Sequence, residues 1–227
     1  MPAFAAAIEL GYSYVETDVH VTADGVLVAF HDPSLDRVTD RHGLIREQTW
    51  SEVAKARVAG REPIPRLDEL LRTWPDVRVN IDPKHDSAAG PLARALPRLG
   101  ALDRVCVTAF SDARLRRLRA AVGPGLCTGM GPRGIAQLRA AGFRAPFRPA
   151  GDCAQVPVRA GRVTIVDRRF VDTAHRLGLP VHIWTIDDGP EMERLLDLGV
   201  DGIMTDRPTV LKDVLERRGE WAGRDEP

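Results

Sequence analysis

Short β-branched runs alternate with helical stretches along most of the chain, a pattern that predicts parallel strands joined by helical crossovers. Residues 3–10 predict a helix, with Gly11 as its stop. Residues 14–19 and 26–30 predict strands, parted by the turn signal Ala23-Asp24-Gly25. Residues 32–61 are polar and irregular, apart from a short helical piece near 51–56. A helix is expected at 67–73, and from there the rhythm is regular. Strands are expected at 77–81, 105–109, 126–129, 154–156, 181–184 and 202–204. Helices are expected at 91–99, 112–122, 134–141, 170–177, 191–198 and 209–217. Pro132, Pro190 and Pro208 sit where helices would start, which suits proline in a first turn. No internal repeat or low-complexity segment appears, and residues 220–227 read as a frayed tail.

The fold class this predicts is α/β, a TIM-type (β/α)8 barrel in a single domain over residues 1–219. Such a barrel has about eight parallel strands, each followed by a helix, in about 250 residues. Roughly seven are visible here, and the chain opens on a helix rather than a strand, so the expectation is a barrel lacking its first strand in this chain.

Composition narrows the function classes. Lys+Arg and Asp+Glu are both 32, giving zero formal charge with the signs interspersed. That excludes a basic stripe for nucleic acid and a polybasic membrane patch. Only Lys55, Lys84 and Lys212 are lysines; every other basic residue is arginine, so most arginines reflect bias and each lysine stands out. Cys106, Cys127 and Cys153 are odd in number and widely spaced, which suggests buried thiols in a reduced compartment. No apolar run is long enough to span a membrane, and no signal peptide is visible. A cytoplasmic location is expected, although a signal upstream of a misplaced start would change it.

In a barrel of this type the active site lies at the C-terminal ends of the strands. Glu16, Asp18 and His20 are spaced by two and share one strand face, leaving Val15, Thr17 and Val19 on the other. Ionisable groups pointing into a barrel need compensation. A hard divalent cation, Mg²⁺ or Ca²⁺, would supply it, with Asp82 at another strand end as a third oxygen ligand. The alternative is a solvated strand end with its carboxylates bonded to backbone. His31, after the run 26–30, is a candidate acid or base, or a structural histidine. Lys84, two residues past Asp82, is either a point charge for phosphate or a surface lysine. Trp184 is either a core aromatic or a platform for a sugar or glycerol backbone.

Several motifs resemble the glycerophosphodiester phosphodiesterase family. They are Glu16-Thr17-Asp18-Val19, Thr22-Ala23-Asp24-Gly25 and the run from His31-Asp32-Pro33-Ser34-Leu35-Asp36 through Arg37-Val38-Thr39. Ile64-Pro65-Arg66-Leu67 and Asn80-Ile81-Asp82-Pro83-Lys84 follow, though a glutamate is more usual at Asp82. Gln155-Val156-Pro157, Trp184-Thr185 and the run from Gly199-Val200-Asp201-Gly202 to Asp206-Arg207-Pro208 are its later marks. The resemblance implies metal-dependent hydrolysis of a small glycerophosphodiester to glycerol 3-phosphate and an alcohol. It implies Glu16, Asp18 and Asp82 around the cation, Lys84 on phosphate, Trp184 against the substrate, and His31 protonating the leaving alcohol. The polar stretch of about 32–61 would be a small insertion over the substrate.

The family begins with a strand ending in His-Arg-Gly and a loop containing Glu-Asn-Thr, and this chain has neither. Met1 is therefore expected to be an internal methionine of a longer protein. A competing reading is a catalytically impaired barrel that binds phosphodiesters or a partner. A third is a related barrel phosphodiesterase acting on membrane lipids. Such an enzyme would show apolar loops at the barrel mouth, whereas 32–61 is polar, which favours a soluble, deacylated substrate. The leaving alcohol, the native ion and the oligomeric state stay open.

Overall fold

The computed structural model describes residues 1–141 and 149–224. The chain forms two compact units, Met1–Cys127 and Thr128–Pro227.

In the first unit, α1 (Pro2–Glu9) ends where Gly11 takes φ +103° and its N–H bonds the Ile8 carbonyl at 2.9 Å. Glycine adopts that left-handed backbone without a Cβ clash. The strands β1 (Tyr14–Val21), β2 (Leu27–Ala29), β5 (Arg78–Pro83) and β6 (Val105–Val107) form one sheet in the order β2-β1-β5-β6. β1 and β5 run parallel, with Glu16 opposite Asn80 and Asp18 opposite Asp82. β2 pairs antiparallel with the last residues of β1, through the turn that Gly25 closes at φ +86°. Strand faces alternate, so Val19, Val79, Ile81 and Val107 go into one apolar cluster. That cluster also takes Leu67, Leu70 and Leu71 of α3 (Leu67–Thr73), Leu92 and Leu96 of α4 (Asp86–Arg98) and Leu118 of α5 (Asp112–Val122). Each such side chain contributes about 1.5–3 kcal/mol by leaving water.

The polar stretch after β2 builds a small core of its own. Leu35, Ile45, Val53 and Ala56 are fully buried, together with Val28 and Ile64. Around them lie a 3₁₀ turn at Ile45–Glu47, α2 (Trp50–Val53) with a Thr49–Glu52 capping box, and the hairpin β3 (Arg57–Val58) and β4 (Glu62–Pro63).

The second unit holds α6 (Pro132–Ala140), β7 (Ala154–Val156), the hairpin β8 (Arg159–Ala160) and β9 (Val163–Thr164), and α7 (Arg168–Arg176). β10 (Val181–Ile183), α8 (Gly189–Asp197), β11 (Gly202–Ile203) and α9 (Pro208–Arg218) follow. Its sheet is parallel, in the order β11-β10-β7. Pro132, Pro190 and Pro208 do open helices.

Two expectations are corrected. α4 starts at Asp86, five residues before Pro91, and carries Pro91 and Pro97 inside it. The prolines remove backbone donors, but burial of Ala88, Ala89, Leu92, Ala93 and Leu96 along one stripe outweighs that loss. Residues 126–129 are not a strand: the Gly129 to Cys153 bridge and the Asp152 N–H on the Thr128 carbonyl at 2.7 Å tie Thr128 and Gly129 to the segment before β7. At the start of the tail, Arg218 pairs with Glu220 at 2.9 Å and Lys212 lies over the Trp221 ring at 5.2 Å. Residues 225–227 lie outside the described residues.

Candidate functional site

The register of β1 and β5 brings Asp18 and Asp82 together as direct neighbours on one face. Both are nearly buried, with side-chain exposures of 11% and 10%. Lys84 leaves the end of β5, where its N–H bonds the Val19 carbonyl at 3.1 Å. Its ammonium bridges the pair, 2.7 Å from Asp18 Oδ1 and 2.8 Å from Asp82 Oδ2. Burial works against that ammonium, but the hydrogen bonds to Asp18 and Asp82 win and hold its pKa above the ordinary lysine value. Burial raises the Asp82 pKa, against the opposing pull of Lys84. Asp82 Oδ1 is buried with no hydrogen-bond partner among the described residues.

His31 stands just past β2 and is well exposed. Its Nδ1 lies 2.7 Å from Asp32 Oδ1 and its Nε2 lies 3.8 Å from Asp18 Oδ2. Arg37 clamps Asp32 with two hydrogen bonds, 2.6 Å from Nε and 2.8 Å from Nη2. That clamp, helped by His31, holds the Asp32 carboxyl well below the usual carboxylate range. Asp32 is thus an anion that fixes the His31 ring by accepting from Nδ1–H.

His20 ends the run of alternate residues begun by Glu16 and Asp18, but it is buried and faces the His31 backbone, its Nε2–H donating to the His31 carbonyl at 3.1 Å. Burial pushes its pKa down, so it acts as a neutral support for His31. Glu16 shares the face of Asp18 but is exposed. Among the described residues no group of three His, Cys, Asp or Glu side chains is close enough to hold a metal ion. Asp18 and Asp82 are brought together, then, and Glu16 is not gathered with them. Trp184 follows β10 in the second unit, half-buried, with its N–H on the Val156 carbonyl at 3.3 Å.

A cleft of about 370 Å³ opens beside Lys84 and His31. His20, Val21, Pro33, Arg46, His85 and Ser87 complete its lining. Sequence reasoning passed over Arg46, His85 and Ser87. No pattern marks Arg46 among so many arginines. His85 caps α4 by accepting from the Ser87 N–H at 3.2 Å, and its position one residue after Lys84 was the available signal.

Comparison with known proteins follows the same lines. The glycerophosphoryl diester phosphodiesterase family matches residues 1–123 and 133–210. A protein of Mycobacterium tuberculosis described as a probable glycerophosphodiester phosphodiesterase 2 is 38% identical, over 98% of this chain and 87% of its own length. A glycerophosphodiester phosphodiesterase of Caldanaerobacter subterraneus is 30% identical, over 96% of this chain and 91% of its own. Among solved structures, a putative glycerophosphoryl diester phosphodiesterase of Silicibacter pomeroyi superposes with a TM-score of 0.80 at 23% identity, over 96% of this chain and 88% of that one. An Oleispira antarctica phosphodiesterase in complex with the product sn-glycerol-3-phosphate superposes at 0.78 and 20% identity, over 94% and 89%. These likenesses establish the fold class as the TIM-type α/β barrel of those enzymes. No helix among the described residues is long and apolar enough to cross a membrane.

Proposed function

Because the chain belongs to the glycerophosphoryl diester phosphodiesterase family, we infer that it hydrolyses small glycerophosphodiesters to glycerol 3-phosphate and an alcohol at the cleft beside Lys84 and His31. The observation that carries this is the half-buried ammonium of Lys84 on two nearly buried carboxylates, one oxygen of which has no hydrogen-bond partner among the described residues. A buried, unpartnered carboxylate oxygen beside a second carboxylate fits a hard divalent cation. Asp18 and Asp82 would hold Mg²⁺ or Ca²⁺, with Glu16 on the same strand face as the third ligand. When bound, the cation offsets negative charge on the phosphoryl oxygens.

The protein's own groups divide the remaining work. Lys84 holds the phosphate as a point charge. His31, its ring fixed by Asp32 and Arg37, donates a proton from Nε2 to the oxygen of the leaving alcohol. His20 keeps the His31 backbone in place. Trp184 belongs to the proposal as a platform for the glycerol backbone. A cytoplasmic location belongs to it too, and cell fractionation with an antibody to the chain tests it.

The exposure of Glu16 favours a second reading, a barrel that binds the diester but turns it over weakly. One assay separates the two: release of glycerol 3-phosphate from a glycerophosphodiester, before and after chelation of divalent ions. Turnover that chelation removes and Mg²⁺ or Ca²⁺ restores supports the enzyme. Turnover indifferent to chelation refutes the cation's part. Diester binding without turnover selects the second reading.

A further inference from the structure

The cleft beside Lys84 has an uneven charge. Among the described residues that line it, none is Asp, Glu, Phe, Tyr or Trp. Lys84 is ion-paired with both Asp18 and Asp82. The ion-pair partner of Arg46 is Glu47, 3.3 Å away, with both side chains well exposed. A pair of that kind contributes little and exchanges readily.

The base of Arg46 is nevertheless fixed. Its neighbour Ile45 is fully buried in the small core after β2, and the Ile45 N–H bonds the Pro33 carbonyl at 3.0 Å. A guanidinium on an anchored turn beside a cleft has the donors to take a carboxylate or phosphate. A guanidinium there also repels a quaternary ammonium, which carries the same sign of charge.

We propose that Arg46 sets the leaving-group specificity, favouring diesters whose alcohol carries a negative charge over neutral alcohols and over those ending in a trimethylammonium group. This rests on the reading of the cleft as the phosphodiester site. It needs no further residue to move, because Arg46 already lines the cleft.

The test uses the full chain, with Ca²⁺ present, and three non-hydrolysable phosphonate analogues of glycerol 3-phosphate esters. One ends in a carboxylate, one in a methyl group and one in trimethylammonium, on chains of equal length. Calorimetric titration gives three dissociation constants, and their ratios are read. The carboxylate form should bind about tenfold more tightly than the methyl form, as one charge-assisted hydrogen bond allows. Arg46→Ala should reduce that ratio to within about twofold, and Arg46→Glu should invert it. Equal affinities in the unaltered chain, a preference for trimethylammonium, or a carboxylate preference that survives Arg46→Ala would each overturn the role of Arg46 while leaving the phosphodiester site standing. Failure of all three analogues to bind would overturn the site and the proposal together.

Discussion

Replacing Lys84 with methionine keeps the stem and removes the ammonium that joins Asp18 and Asp82. Both carboxylates are nearly buried, so neither regains full hydration. Breaking a buried pair by deleting one partner costs about 3–5 kcal/mol. Lys84 is itself 31% exposed, which places the loss at the lower end, about 3 kcal/mol at pH 7. For a chain of this size that is a fall in Tm of about 6–12 °C. The cost should depend on pH. The Asp82 pKa is already raised by burial, and removing Lys84 raises it further. In the variant the folded state takes up a proton at a pH where the unfolded carboxyl remains ionised. The variant's deficit therefore shrinks as pH falls from 7 towards 5. Divalent cation should restore the variant more than the parent, because it replaces the missing charge. Thermal unfolding of both proteins across that range, with and without Ca²⁺, measures all of this. A loss under about 1 kcal/mol, or a deficit that does not change with pH, would refute the account of Lys84 as the counter-charge of a buried carboxylate pair.

Arg37→Ala frees Asp32 without altering the lining of the cleft beside Lys84; kcat should fall about tenfold with KM nearly unchanged, and Arg37→Lys should recover part of it, as steady-state kinetics would show. His20 has a depressed pKa when folded, so the unfolded chain binds its proton first and stability is lost as pH drops below the usual histidine value of 6.5. His20→Asn should flatten the pH dependence of Tm in that window, and an unchanged slope would count against it. Glu16→Ala should abolish cation-dependent release of glycerol 3-phosphate, and undiminished turnover would remove Glu16 from the ligand set.

Much of the candidate site was legible from spacing. Alternation along β1 puts Glu16, Asp18 and His20 on one face whatever the strand packs against, and the turn residues Ala23-Asp24-Gly25 pin the start of β2. Lys84 stood out because lysine is scarce. Helix bounds matched the expectation at α3 and α5, and at α5 Ser111 caps the start and Gly123 follows the end. They failed at α4, where proline is a local stop signal but an apolar stripe five residues longer found a surface to bury against.

Local pattern cannot say which charge neutralises which, because that depends on register between strands more than 60 residues apart in sequence. The pairing of β1 with β5 is what sets Asp18 against Asp82 and turns Lys84 inward between them. It also separates two histidines that look alike in the sequence: His20 is buried and neutral, whereas His31 is exposed and braced by Asp32 and Arg37. Arg46 had no signal at all, since its position at the cleft follows from Ile45 anchoring a turn in a small core assembled from residues 28–64. Periodicity along one strand is a property of the chain alone, whereas burial, register and counter-charge arise only when distant segments pack and displace water.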